Sequence, residues 1–530
     1  MTLHGQVRRW IADEVDPIAA AELEALLDEG DDVELADRFA GPLTFGTAGL
    51  RGPLRAGPNG MNRAVVRRAA AGLAAWLLEH GHAGRAVVVG FDARHGSTDF
   101  ARDSAAIFAA AGFDARRMPR VLPTPVLAFA VQHLGAAAGV MVTASHNPPQ
   151  DNGYKVYADD GAQIVPPTDV EIEHAIRAVP STRDIALDES GVRVLGDELV
   201  TAYVEAVTAL VGDGPRELRI VHTAMHGVGT ETVLAVLGRA GFSDVIPVPQ
   251  QEQPDPDFPT VSFPNPEEPG ALDLAFALAR ERHADIVIAN DPDADRCAVA
   301  VPLGDGGWRM LRGDEVGVLL GDALLREGVR GTYATTIVSS SMLGALAASH
   351  GVGYAETLTG FKWISRAAPD LVFGYEEALG YAVAPDLVRD KDGVSAALRI
   401  AHLAAGLKAA GSSLLHRLDE LAAEHGRYAT EQVSVRVDDL SIIAATMQRL
   451  RESPPTELLG RPVTAEDLLP ATDGLRWRVD GGRVVVRPSG TEPKLKAYLE
   501  VVEPSGSAER AAATIAALRA EVEPLVGVRT

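Results

Sequence analysis

The chain has 530 residues, room for three to four domains at about 150 residues each, and its 46% hydrophobic and 23% charged content is that of a folded globular protein and excludes wholesale disorder. Its 49 basic and 73 acidic side chains leave a net charge of −24, which repels nucleic acid and anionic membranes and obliges any phosphate site to gather its cations locally. Cys297 is the only cysteine, so an intrachain disulfide and a cysteine-based metal cluster are both excluded.

The opening MTLHGQVRRWIADEVDP has no apolar core of a secretory signal, and with the single cysteine this points to a cytoplasmic protein. Residues 1–40 are predicted helical and acidic, with apolar positions at Ile18, Leu23, Leu26 and Leu27. From about residue 41 strands and helices alternate, and one arrangement occurs three times. The first copy runs from the strand AVVVG (86–90) through a helix near 99–111 to AGVMV (138–142), which enters TASHNP. Val121 to Ser145 is uncharged for 25 residues, the length of a membrane span, but Pro123, Pro125, Gln132, His133 and Gly135 make it a buried loop, helix and strand. The second copy runs from LRIVH (218–222) through a helix near 230–240 to ADIVIAN (284–290), which enters DPDADR. The third runs from YATTIVSS (333–340) through a helix near 341–350 to DLVFG (370–374), which enters YEEALG.

Each copy reads as a βαβ unit whose strands are too apolar to face water, so buried parallel sheets are expected. Ligands bind outside the carboxyl ends of such strands, which puts three polar loops where a common cleft is expected. From about 426 the pattern changes. VSVRVDD (433–439), GLRWRVDGGRVVVRPS (474–489) and KLKAYLEVV (494–502) alternate like strands with one solvated face, and helical stretches lie near 440–452 and 507–525. The fold class is therefore α/β, with three related domains of mostly parallel sheet and a C-terminal α+β domain. The expected boundaries are 1–211, 212–311, 312–425 and 426–530.

Four loops carry the chemistry. Ser145 stands beside His146 after a buried strand, without the glycines of a serine-hydrolase elbow; a serine needs a base, a metal or an attached phosphoryl group to act, and a polar turn is the other reading. Asp291, Asp293 and Asp295 alternate, so that in an extended loop they converge on one cation. Hard oxygen ligands suit Mg²⁺, whereas Zn²⁺ lacks its His or Cys ligands and an EF-hand lacks its glycine at Arg296. Glu376 and Glu377 are a pair of acceptors suited to sugar hydroxyls, or acids at a helix start. Arg487, Ser489, Gly490, Thr491 and Lys494 gather a guanidinium, hydroxyls and a glycine turn, the makings of an anion nest or of a basic surface turn.

Together these motifs resemble the α-D-phosphohexomutase superfamily. TASHNPPQDNGYKVY is similar to its phosphoserine loop, DPDADR to its metal loop, YEEALG to its sugar loop and RPSGTEPK to its phosphate loop, in the family's order across nearly the whole chain. FGTAGLRG, HTAMHGVG and GYEEALGY resemble the phosphoglucomutase-2/phosphopentomutase-like branch. The resemblance implies a heart-shaped, four-domain phosphosugar mutase. It would interconvert hexose 1- and 6-phosphates of glucose or mannose through a phosphoserine and a bisphosphorylated sugar. It further implies one Mg²⁺ held by Ser145, Asp291, Asp293 and Asp295, and a hexose 1,6-bisphosphate activator. Arg51, Lys155 and Arg296 match positions near the transferring phosphate, and His146 and Lys391 match proton handlers. Thr359, Gly360 and Lys362 join the substrate contacts. The expected partner is a sugar phosphate only, with no nucleic acid and no membrane, in a monomer or homodimer. Ala378 and Tyr381 stand where many relatives carry serine and some carry histidine, which leaves a pentose phosphate open as substrate. Two readings of other classes compete: an aspartate-nucleophile phosphatase, suggested by the strand ending in DxD, and a catalytically silent sugar-phosphate-binding scaffold.

Overall fold

In the computed structural model, residues 2–46, 49–437, 439–489 and 494–527 are described. The chain forms two compact units, one of Met1–Leu311 with Ala378–Ala409 and one of Arg312–Glu377 with Ala410–Thr530.

The first unit opens with three helices, Leu3–Asp13, Pro17–Glu29 and Asp32–Arg38, each begun by a side chain that accepts a backbone N–H: Thr2, Asp16 and Asp31. Val7, Leu23 and Leu35 pack together between them, whereas Ile18 is 79% exposed, a departure from the apolar pattern expected there. A six-stranded sheet follows, in the order Leu50–Pro53, Asp151–Ala158, Ala138–Val142, Ala86–Phe91, Asp114–Arg117, Arg193–Val194. Its centre is parallel, as the βαβ reading expects, and the two strands at one edge are antiparallel. The chain turns straight back after the TASHNP loop, so Asp151–Ala158 returns beside the strand that delivered it. Thr124–His133 is the helix expected in the uncharged stretch, and among the described residues no helix is long and apolar enough to cross a membrane.

A five-stranded sheet completes this unit, ordered Trp308–Met310, Ala298–Pro302, Ile286–Ala289, Ile220–Thr223, Val245–Pro247. Ile220–Thr223 is parallel to both of its neighbours, and the strand after the aspartate loop again returns antiparallel. The helix Gly393–Ala409 belongs to this unit and starts against the aspartate loop.

In the second unit Gly353–Thr357, Thr332–Thr336 and Leu371–Glu376 run parallel, with Thr332–Thr336 between the other two. The middle strand stops at Thr336, short of the expected 340, because the Thr336 hydroxyl accepts the amides of Val338 and Ser339 and closes a turn. The C-terminal sheet is antiparallel throughout, ordered Arg427–Arg436, Lys494–Glu503, Gly482–Pro488, Leu475–Val479, Thr464–Asp467. Its alternation sends Val484 and Val486 into a core with Trp477 and the helices Leu440–Glu452 and Ala508–Val526. Val485, on the opposite face, packs with Tyr498 against Ile337 and Val338.

Candidate active site

The site grows from the carboxyl ends of parallel strands. After Ala138–Val142 the chain makes a strained turn: Ser145 has φ 51°, a left-handed conformation uncommon for a serine, and its N–H donates to the Thr143 hydroxyl at 2.9 Å. Arg94, 3% exposed, holds that turn by donating to the carbonyls of Ser145 (2.6 Å), Pro148 (2.7 Å) and Asp151 (3.1 Å), and also to that of Asn147. Asp92 accepts the amide of Arg94 at 3.0 Å and the hydroxyl of Ser97 at 2.7 Å. Arg51 donates to the Asn147 side chain at 3.0 Å. One buried guanidinium with several carbonyl acceptors thus presents the Ser145 hydroxyl in one direction.

That hydroxyl donates to Asp291 at 2.7 Å and lies 3.2 Å from Nδ1 of His146. The aspartate loop is folded, not extended as expected. In an extended strand, alternate side chains sit about 7 Å apart, too far to share an ion. Here the Ala294 amide donates to the Asp291 carbonyl at 2.8 Å, Ala294 takes φ 54°, and one carboxylate oxygen each from Asp291, Asp293 and Asp295 comes within 4.8 Å of the others. All three are buried.

The test of a cation there is what the remaining oxygens do. Oδ1 of Asp293 and Oδ1 of Asp295 are buried without a hydrogen-bond partner among the described residues. Lys155 donates to the other oxygens of the same two residues at 2.7 and 2.8 Å, Thr124 donates to Asp293 at 2.6 Å, and Lys391 lies 3.3 Å from Asp295. Two orphaned, buried oxygens, one on Asp293 and one on Asp295, converging with the Asp291 carboxyl make a hard-oxygen donor set that can hold a metal ion. Burial, and then the charges of Asp293 and Asp295, hold the Asp291 carboxyl well above its usual range. Burial also acts on Asp295, but Lys155, Lys391 and Arg296 outweigh it and keep that carboxylate ionised. Burial disfavours the Lys155 ammonium, and Asp293 and Asp295 more than restore it. His146 is pushed well below its ordinary value by burial and then by Arg296 and Arg51, so near neutral pH it is an uncharged acceptor.

The arrangement brings together Ser145, His146, Lys155, Arg51, Lys391, Arg296 and the three aspartates, all in the first unit. The backbone N–H of Arg296 donates to Asp291 at 2.9 Å. Several supports escaped the sequence reading. Arg94 and Asp92 follow the strand Ala86–Phe91, at the same strand-end position as the polar loops, and that placement was the available signal. Tyr157, two residues after Lys155 on the same strand, donates to Asp390 at 2.7 Å, and Tyr203 donates to Asp392 at 2.8 Å. These two hydroxyls fix the loop that carries Lys391.

The second unit holds the remaining candidates. Glu376 ends the strand Leu371–Glu376, and Glu377 accepts the Ser339 hydroxyl at 2.9 Å. Thr359, Gly360 and Lys362 follow Gly353–Thr357, which runs parallel on the far side of Thr332–Thr336 in the same sheet, so they leave the same carboxyl end of that sheet, with Gly360 at φ 109° before the turn Phe361–Ile364. Arg487 lies on Gly482–Pro488, and its Nε is buried without a partner among the described residues. Ser489 donates its N–H to the carbonyl of Lys494 at 2.8 Å, closing the base of the loop. Gly490 and Thr491 lie outside the described residues. Tyr381 is fully buried.

A serine, a buried carboxylate cluster and several cations gathered at the carboxyl ends of parallel strands are the parts that phosphoryl transfer requires. Comparison with known proteins carries this further. The phosphoglucomutase/phosphomannomutase family models match in order: alpha/beta/alpha domain I over residues 42–183, domain II over 201–304, domain III over 312–425 and the C-terminal domain over 433–518. The chain belongs to the α-D-phosphohexomutase superfamily, in its phosphopentomutase-like branch, and is a phosphosugar mutase. It is 48% identical over 453 residues to a protein of Haemophilus influenzae named a probable phosphomannomutase, covering 83% of this chain and 93% of that one. It is 35% identical over 585 residues to the phosphopentomutase of Mus musculus, covering 99% and 93%. It is 34% identical over 560 residues to the human glucose 1,6-bisphosphate synthase, covering 94% and 89%. A solved structure from Thermus thermophilus, provisionally assigned as a phosphomannomutase, superposes with a TM-score of 0.74 at 28% identity, covering 92% of this chain and 99% of that one. The matched domains cover both the segment of Ser145 and that of RPSGTEPK, which the aspartate-nucleophile phosphatase reading leaves unexplained.

Proposed function

We propose that the chain interconverts hexose 1-phosphate and hexose 6-phosphate, of glucose or mannose, through a phosphoryl group carried on Ser145. The observation that carries this is the Ser145 hydroxyl on Asp291 at 2.7 Å, inside a buried cluster whose Asp293 and Asp295 each keep one oxygen without a partner among the described residues. In this reading Asp291, Asp293, Asp295 and Ser145 hold Mg²⁺, which supplies charge neutralisation for the transferring phosphoryl group.

The chain's own residues do the rest. Arg94 aims the serine oxygen by fixing the turn behind it. Lys155, Arg51 and Arg296 surround the serine with cations, which favours a dianionic phosphoryl group in a chain of net charge −24. In the forward half-reaction the P–O bond to Ser145 breaks and a P–O bond to the sugar hydroxyl forms; the hydroxyl proton passes to His146, whose Nδ1 lies 3.2 Å from the Ser145 oxygen and returns the proton to that leaving oxygen. Neutral His146 is ready to accept it. The bisphosphorylated sugar turns over, and its other phosphate returns to Ser145. Glu376, Glu377, Thr359, Gly360 and Lys362 hold the sugar, while Arg487, Ser489, Gly490, Thr491 and Lys494 hold the phosphate that is not reacting. A hexose 1,6-bisphosphate loads Ser145 at the start.

A second reading, pentose phosphates, is favoured by the relative from Mus musculus, whose match spans 99% of the chain. A coupled-assay panel of glucose, mannose, glucosamine and ribose 1-phosphates, with trace bisphosphate, separates the two. The larger kcat/KM is expected for glucose or mannose 1-phosphate, and a preference for ribose 1-phosphate overturns the hexose assignment.

A further inference from the structure

Arg483 is 9% exposed and lies on the strand Gly482–Pro488, four residues before Arg487. It is built into a three-way junction. Its Nε is 3.0 Å from Glu500, which stands directly opposite on the neighbouring strand. One terminal nitrogen donates to Glu356 at 3.0 Å, and the other donates to the backbone carbonyl of Ser339. Glu356 is also held by Arg476 at 2.6 Å, and Glu500 accepts the N–H and hydroxyl of Ser341 at 2.8 and 2.6 Å. Arg476, Arg483 and Glu500 belong to the C-terminal sheet; Glu356, Ser339 and Ser341 belong to the parallel sheet of the third α/β domain and the turn that follows its middle strand.

Ser339 continues the chain of contacts to the sugar loop. Its hydroxyl donates to the Glu377 carboxylate at 2.9 Å and accepts the Glu377 N–H at 3.1 Å. Thr336 donates to the same carboxylate at 3.4 Å. The turn that presents Glu377 is therefore the turn gripped by Arg483. On the sheet, Arg483, Val485 and Arg487 share one face, and Val485 on that face is packed against Ile337 and Val338 of the same turn. Four residues of strand put Arg487 about 13 Å along from Arg483.

We propose that Arg483, acting through Ser339, is a positioning residue for Glu377, setting the spacing between the sugar-loop carboxylate and the Arg487 strand to which the sugar phosphate must fit. Only a guanidinium can do this: it offers a planar fork to two carboxylates and a carbonyl at once, which an ammonium at the same place cannot span. The inference rests on the reading of Glu377 as a sugar contact.

A double-mutant cycle tests it, with KM and kcat for glucose 1-phosphate as readouts and thermal melting alongside. Ser339→Ala removes the hydroxyl from Glu377 and leaves the carbonyl for Arg483, so it keeps the junction. It is expected to raise KM by about threefold to tenfold with little change in kcat. In the Glu377→Gln background the same substitution is expected to have no further effect. Arg483→Lys is expected to follow the same pattern, and a wild-type KM in Arg483→Lys overturns the inference; if that variant melts early, a wild-type KM for Ser339→Ala still does, because the link from Arg483 to Glu377 runs through Ser339. A wild-type KM for Ser339→Ala, or effects of Ser339→Ala and Glu377→Gln that simply multiply, overturns the inference and leaves the sugar-loop reading intact. A wild-type KM for Glu377→Gln overturns both.

Discussion

Asp293 shows most plainly what one side chain does in this site. It binds Lys155 and Thr124 through one oxygen and leaves the other buried, with no partner among the described residues, so its second oxygen is the place where a cation would be missed. Asp293→Asn keeps the size and lowers the ligand charge. Mg²⁺ affinity, followed by titration calorimetry, is expected to fall by roughly 10- to 100-fold, and unchanged affinity contradicts the assignment. Asp314, outside the site, makes a prediction of another kind. Burial pushes its carboxyl up to about 6, although the Ser340 amide donates to it at 2.6 Å. A folded value above the unfolded one stabilises the protein fully below about pH 4, and that stability is lost as pH rises through about 6. The distance between those two values corresponds to about 3 kcal/mol. Asp314→Asn keeps an acceptor for Ser340 and cannot ionise, so it is expected to melt higher than the parent chain at pH 8, the gap closing toward pH 4. A pH-independent gap contradicts this. At this scale the sequence made the acids and the serine visible, because their types and spacing mark them. It did not make Arg94 or Asp314 visible, because their roles come from burial and backbone partners supplied by distant segments.

Among the elements, the strand ends decide where chemistry happens. The three loops read from the apolar strands stand at the carboxyl ends of those strands, as open α/β sheets require. The return strands were not legible, because Asp151–Ala158 continues a motif that reads as loop, yet its antiparallel run is what carries Lys155 back to the aspartates. Helix starts matter equally. The first residue of Gly393–Ala409 sits against the aspartate loop: its N–H donates to the Ala294 carbonyl at 3.2 Å, and a Cβ there would lie 2.2 Å from the carbonyl oxygen of Arg296. Backbone cannot yield as a side chain end does, so Gly393→Ala is expected to push the loop out of register. A loss of about 1–3 kcal/mol in melting experiments is expected, together with weaker Mg²⁺ stabilisation. Wild-type melting with and without Mg²⁺ would show that the close approach is dispensable.

Across the whole molecule, the division of labour follows the two compact units. Ser145, the aspartates, Lys155 and Lys391 belong to one; Glu376, Glu377, Arg487 and Lys494 belong to the other. Arg487→Ala is accordingly expected to raise KM by roughly 10- to 100-fold through loss of a charge-assisted contact, while Ser145 phosphorylation and Mg²⁺ binding persist. A wild-type kcat/KM in that variant reduces the loop to a basic surface turn. The proposed phosphoryl group on Ser145 has a mass of its own, which intact-mass measurement reads. Incubation of the chain with glucose 1,6-bisphosphate and Mg²⁺ is expected to give a species heavier by one phosphoryl group, which glucose 6-phosphate discharges and which Ser145→Ala cannot form. The same phosphorylated species in Ser145→Ala, or an active parent chain that never acquires it, would contradict the account.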